Sequence, residues 1–228
     1  RRPGAAVHVR QETLRMSDID LLQLATMLGL GIGLSAACGF RIFLPMLAFG
    51  SAAKAGLYSV SEGWEWLASW PAIIVLAVAT TVEIGAYFVP WIDNALDSIG
   101  TVAAVLAGTA LMAAMLTELD PMWQWSLAAI AGGGSAGTIK GGMGLTRAAS
   151  TATTGGMANP LVSLVELMMS GLMSLLALVL PIVAGIVAIL IVVVMLRIVW
   201  KLAARLGSLR RGRRETGKAI EPRTSDIG

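Results

Sequence analysis

Runs of about 20 apolar residues, interrupted by single ionisable side chains, constrain this chain more than any other feature. Such runs cover 21–39, 72–89, 91–116, 161–180 and 182–200, and a tryptophan-marked re-entry at Trp123 and Trp125 adds a further one. Soluble domains carry roughly 25% charged residues. This chain carries 14%, with 56% hydrophobic residues and a mean hydropathy of +0.77. The expected fold is an all-α polytopic membrane protein of about six transmembrane helices plus two short re-entrant or broken helices.

The organisation that follows is a polar extension over 1–18, a transmembrane domain over 19–201 with halves 19–117 and 122–201, and a basic tail over 202–228. The extension lacks the apolar core and cleavage pattern of a signal peptide, so the first apolar helix is expected to direct insertion. Gly29, Gly33 and Ala37 recur every fourth residue there and form a small-residue face for close helix packing. The stretch 42–57 contains Pro45 and is too short to cross comfortably. Ser69 before Pro71 reads as a helix start, and the tryptophans of 64–70 suit the bilayer interface.

Charge sets the orientation. Arg197, Lys201, Arg205, Arg210, Arg211, Arg213, Arg214 and Lys218 crowd the C-terminal end, a juxtamembrane pattern that stays cytoplasmic. The link 117–121 holds Glu118 and Asp120 and no Lys or Arg, which places it on the other side. Six crossings then leave both termini cytoplasmic, in the inner membrane of a bacterium. The net charge of +3 comes from these clustered ends and does not call for a nucleic-acid partner.

Inside the apolar runs the ionisable residues are Arg41, Glu83, Lys140, Arg147 and Glu166, each costing about 2.5–3.5 kcal/mol to insert. They are expected to face a bundle interior or an aqueous cavity, with Glu83–Arg41 and Glu166–Lys140 as candidate structural pairs. Asp93 and Asp97 share one helical face after Pro90, where acids suit the helix dipole or a cation. The glycine-rich stretch 131–144 is too poor in helix formers to face lipid as an ordinary helix. Beyond it, Arg147, Ser150, Thr153, Thr154 and Asn159 lead to a helix start at Pro160, the chemistry of an anion site.

Two short internal matches, 33–41 with 133–140 and the proline-started 90–97 with 160–166, suggest an inverted repeat, while pairing Glu83 with Glu166 breaks that register. The lone His8 and lone Cys38 leave neither a catalytic histidine in the membrane nor a cysteine metal site, and no cofactor is expected. The glycine run is not a phosphate-binding loop, because Lys140 is followed by Gly141 rather than Ser or Thr.

The segments Cys38-Gly-Phe-Arg-Ile-Phe-Leu-Pro45, Pro90-Trp-Ile-Asp-Asn-Ala-Leu-Asp97 and Thr146-Arg-Ala-Ala-Ser-Thr-Ala-Thr-Thr-Gly-Gly-Met-Ala-Asn-Pro160 resemble a bacterial membrane family known as domain of unknown function 4126. The resemblance spans roughly residues 20 to 200, implies the membrane class and the same residues, and brings no activity with it. The sequence therefore points to a non-enzymatic transporter or channel in the lipid bilayer that binds a small ion or anionic solute. Arg41, Lys140 and Arg147 would hold the anion, and Glu83, Asp93, Asp97 and Glu166 would couple protons or a cation. The alternative is a structural membrane protein that organises a partner or a homo-oligomer; a lipid-modifying or lipid-moving protein is third.

Overall fold

A computed structural model describes residues 21–86, 90–117 and 119–220, with side chains over 21–86, 99–117 and 119–201. The polar extension 1–18 and Glu118 lie outside the described residues, as do the side chains of Asp93, Asp97 and most of the basic tail.

The described chain is helical: α1 (Leu21–Phe40), α2 (Phe43–Lys54), a 3-10 turn (Glu65–Ala68), α3 (Trp70–Gly85), α4 (Pro90–Met115), α5 (Pro121–Leu127), a π-helical segment (Ala128–Gly133), α6 (Gly134–Thr154), α7 (Asn159–Val179) and α8 (Pro181–Ile220). Three segments, Leu21–Phe40, Asn159–Val179 and Pro181–Lys201, are long and apolar enough to cross a membrane; Trp70–Gly85 and Ile99–Met115 are shorter apolar helices. The protein is thus a membrane-type helical bundle. Its tail is not separate from the last span, because α8 continues without a break to Ile220.

Proline explains the break after α1. Its ring clashes with the carbonyl four residues back, so Pro45 forbids a continuous helix through Arg41. The chain turns there, and α2 starts at Phe43. Ser69 and Asp120 start α3 and the α5 rod, accepting from the backbone N–H groups of Ala72 (3.3 Å) and Met122 (2.9 Å). Asn159 does not cap α7. Ala158 holds that position, and Asn159 is the first helical residue.

The centre of the bundle is α1, packed against α8, α4, α7, α6 and α2 and buried from Gly29 onward except at Ile32. The small-residue face does what its spacing predicts: Gly29 lies on Pro181 and Gly185, and Gly33 on Ala177 and Ala184. These neighbours also fix direction. Along α1, Gly29 then Gly33 meet α8 in ascending order, whereas Gly33, Ala37 and Arg41 meet α7 at Ala177, Ser170 and Ser163 in descending order. Hence α8 runs parallel to α1 and α7 antiparallel.

The same reading makes α4 antiparallel to α1, with Gly31 beside Met112 and Ser35 donating to the Gly108 carbonyl at 2.7 Å. The rod from Pro121 to Thr154 runs back along α4, Gly133 meeting Thr109 and Lys140 meeting Gly100. Leu21 and Lys201 therefore lie at opposite ends of the bundle. The short α2 is a return: Gly50 reaches Leu67, and Tyr58 donates to the Leu178 carbonyl at 2.5 Å.

That return also changes the repeat. Gly33–Phe40 and Gly133–Lys140 lie on helices running the same way, with Gly39 seated on Ala136 and Ile139, and α4 and α7 share the opposite direction. Of the matched segments, those on α1 and α6 are parallel neighbours. The glycine-rich stretch, expected to break, is helical. Its glycines instead let backbones touch: a Cβ on Gly132 would lie 2.5 Å from the Gly108 oxygen, and one on Gly108 would lie 2.9 Å from the Gly132 oxygen.

One end of the bundle carries Trp64, Trp66, Trp70 and Trp125, whereas Trp200 closes the last span at the other. Trp64 lies 6.2 Å from both Trp66 and Trp125 between ring centroids, and Lys54 sits 5.6 Å over the Trp70 ring. There the final carbonyls of α4 accept from Ser61 Oγ (Ala113, 3.0 Å) and from Gln124 Nε2 (Ala113, 2.8 Å). Indole rings prefer the membrane interface, so this end is read as one bilayer face. The α1–α2 turn lies deep, away from it.

Candidate functional site

The deep turn gathers the costly charges. Arg147 of α6 forks onto Glu166 of α7, Nε donating to Oε1 at 3.2 Å and Nη2 to Oε2 at 2.6 Å, and Nη2 also donates to Ser163 Oγ at 2.8 Å. Arg41, from the turn, brings Nη2 to 3.5 Å from the same Glu166 Oε2 and donates to the Ser163 carbonyl at 3.3 Å. Glu166 is 1% exposed, Arg41 5% and Arg147 6%. One carboxylate is thus shared by guanidiniums from two different elements in a dry setting, where such charge-assisted bonds are strong and their loss costly.

Glu83 does something else. Its Oε1 accepts from the Ile42 N–H at 2.9 Å and its Oε2 from the Phe43 N–H at 3.2 Å. These are amides at the start of α2, which Pro45 leaves without helical partners. A carboxylate suits the positive end of a helix. The expected Glu83–Arg41 and Glu166–Lys140 pairs are therefore replaced by Glu83 on backbone and Glu166 on Arg147 and Arg41, because the α1–α2 turn inserts between α3 and α7.

Lys140 lies on the α6 face toward α4, its Cε 2.9 Å from where a Cβ on Gly100 would be. It does not join Glu166. Asp93 and Asp97 belong to the first turns of α4, and their side chains lie outside the described residues. The hydroxyl run does not form the expected anion cradle with Arg147. Thr153 and Thr154 donate to the Ala149 and Ser150 carbonyls at 2.9 and 2.8 Å, and Asn159 Nδ2 donates to Thr151 Oγ1 at 3.1 Å. These groups close the α6–α7 hairpin, whose turn uses Gly155 and Gly156 at φ 64° and 89°, left-handed values suited to glycine. Ser150 Oγ and Asn159 Oδ1 are buried and have no hydrogen-bond partner among the described residues.

Three residues escaped the reading by charge: Ser163, Ser170 and Ser174. All are buried on α7 with Glu166, at 1%, 0% and 2% exposure. Their spacing of three, four and four residues was the available signal, a polar stripe on one face of an otherwise apolar helix. Ser170 Oγ donates to the Ala37 carbonyl at 3.1 Å, and Ser174 Oγ finds no partner among the described residues.

A family model described as "Domain of unknown function (DUF4126)" matches residues 28–201, the whole bundle from the first close helix contact to the end of the last apolar span. No curated protein and no solved structure matches the chain.

Proposed function

The chain belongs to the family of the domain of unknown function 4126, and from that premise we propose that it is a multi-pass transporter for a small anionic solute. The observation that carries this reading is the sharing of buried Glu166 between Arg147 and Arg41 at the break between α1 and α2. Guanidiniums that grip one carboxylate in a bidentate fork are chemically suited to exchange it for another carboxylate or a phosphate. A broken helix deep in a bundle is where transporters place such sites. Arg147 and Arg41 hold the anion, Ser163 orients Arg147, and Glu166 is the internal competitor that occupies the site at rest.

In this reading the helices cross a bacterial inner membrane an odd number of times between Leu21 and Lys201, with α2 as a short return and the basic tail cytoplasmic. Lys140 packs against Gly100 of α4. Purified protein in liposomes tests the proposal with a panel of inorganic and organic anions. Flux is expected to vanish in Arg147→Ala and persist in Thr153→Ala. No flux of any anion, together with an Arg147→Ala protein indistinguishable from its parent, would sink it.

A second reading, a structural protein that assembles a partner, is favoured by the internal pairing of Glu166: both of its carboxylate oxygens already accept from Arg147, with Arg41 beside them. It predicts a stoichiometric protein partner on native co-purification and no anion flux.

A further inference from the structure

We propose that α7 carries a proton path from the tryptophan-marked face of the bundle to Glu166, a reading that rests on the transport function proposed above. The path is the buried line Ser174, Ser170 and Glu166, one helical turn per step, and Tyr58, whose hydroxyl donates to the Leu178 carbonyl, marks its outer end. Hydroxyls both donate and accept, so successive serines can hand a proton along where alkyl side chains cannot. Four polar groups on one stripe of an apolar span are expensive unless used.

Ser174 supplies the independent observation. Its Oγ is buried and carries no hydrogen bond among the described residues, although α7 carbonyls lie within reach of a serine hydroxyl on the same helix. A buried hydroxyl left in that condition is one that water or a moving proton can engage. Its neighbour Ser170 is turned onto the Ala37 carbonyl, the acceptor that also receives the Arg41 backbone N–H at 3.0 Å. The stripe is thereby joined to the turn that carries Arg41.

The charged groups facing Glu166 among the described residues are Arg147 of α6 and Arg41 of the α1–α2 turn; Lys140 lies against Gly100, and Glu83 is bound to α2 backbone. Both guanidiniums contact the Glu166 carboxylate at rest. When an anion takes its place on Arg147, the freed carboxylate takes the Ser170 hydroxyl proton while Ser170 takes that of Ser174 and Ser174 takes one from hydronium, so each O–H bond formed is matched by one broken. Anion and proton then leave together, so the cycle moves no net charge for a monovalent anion.

Single cysteines test the path in full-length protein with Cys38→Ala as background. Ser170→Cys and Ser174→Cys are expected to react with a water-soluble methanethiosulfonate about tenfold faster than Met173→Cys, since only thiolate reached by water is reactive. Ser170→Ala and Ser174→Ala serve as second variants in liposomes, where acid-driven proton uptake read with a pH dye is expected to fall about tenfold while anion-induced thermal shifts remain. Cysteines at 170 and 174 as inert as the one at 173, or alanine variants with parental proton uptake, overturn the path. Anion flux with inert cysteines leaves the transport reading standing and removes the path; absence of anion flux removes both, whatever the cysteines show.

Discussion

Arg147 and Glu166 are bound to each other more tightly than any other charged pair described, and their removal is asymmetric. Arg147→Ala leaves the buried Glu166 carboxylate only the longer 3.5 Å contact with Arg41, and breaking a buried pair costs up to about 3–5 kcal/mol. Thermal unfolding in detergent is expected to show that loss, with Arg147→Lys intermediate because an ammonium keeps the charge but not the fork that reaches Glu166 and Ser163 together. Tyr58 offers a pH test outside the spans. Burial raises its phenol above the usual value, so its contribution is fully present below about pH 10 and is lost as pH rises through the folded value. Unfolding followed into the alkaline range is expected to show this loss, and Tyr58→Phe is expected to remove it along with roughly 1 kcal/mol from the bond to Leu178.

The helices separate what was legible in the sequence from what was not. Gly132→Ala should cost about 1–3 kcal/mol by forcing α4 and the π segment apart, whereas a Cβ on Gly144 meets nothing within 4 Å and should be neutral or mildly stabilising; chemical denaturation of the pair checks the contrast. Both are glycines in one run, and no local propensity distinguishes them. Hydropathy located α1, α3, α4, α7 and the start of α8 to within a few residues, and Ser69 was readable as a cap, because these are local properties. The helicity of 134–154 was not readable, since close contact with α1 and α4 outweighs glycine's poor propensity. Charge singled out Arg41, Arg147 and Glu166, but which of them meet is decided by helix directions. Ser170 and Ser174 were missed because serine is cheap enough in a span to look ordinary, and only their period marks them.

For the whole bundle, direction is the testable quantity. Topology reporters fused after Leu57 and after Ile220 are expected to report opposite sides, while reporters after Gly155 and Ile220 should agree; any other pattern means that α2 does not return toward the tryptophan face. The turn that α2 makes has a consequence in time. Glu83 follows the α2 amides by about 40 residues, but Arg41 grips a carbonyl 122 residues further along the chain. At about 5–20 residues per second, the ribosome delivers Ser163 and Glu166 roughly 6–25 seconds after Arg41 has left it. Throughout that interval the bundle's central helix is already made while the clasp that seats its deep end is still unwritten.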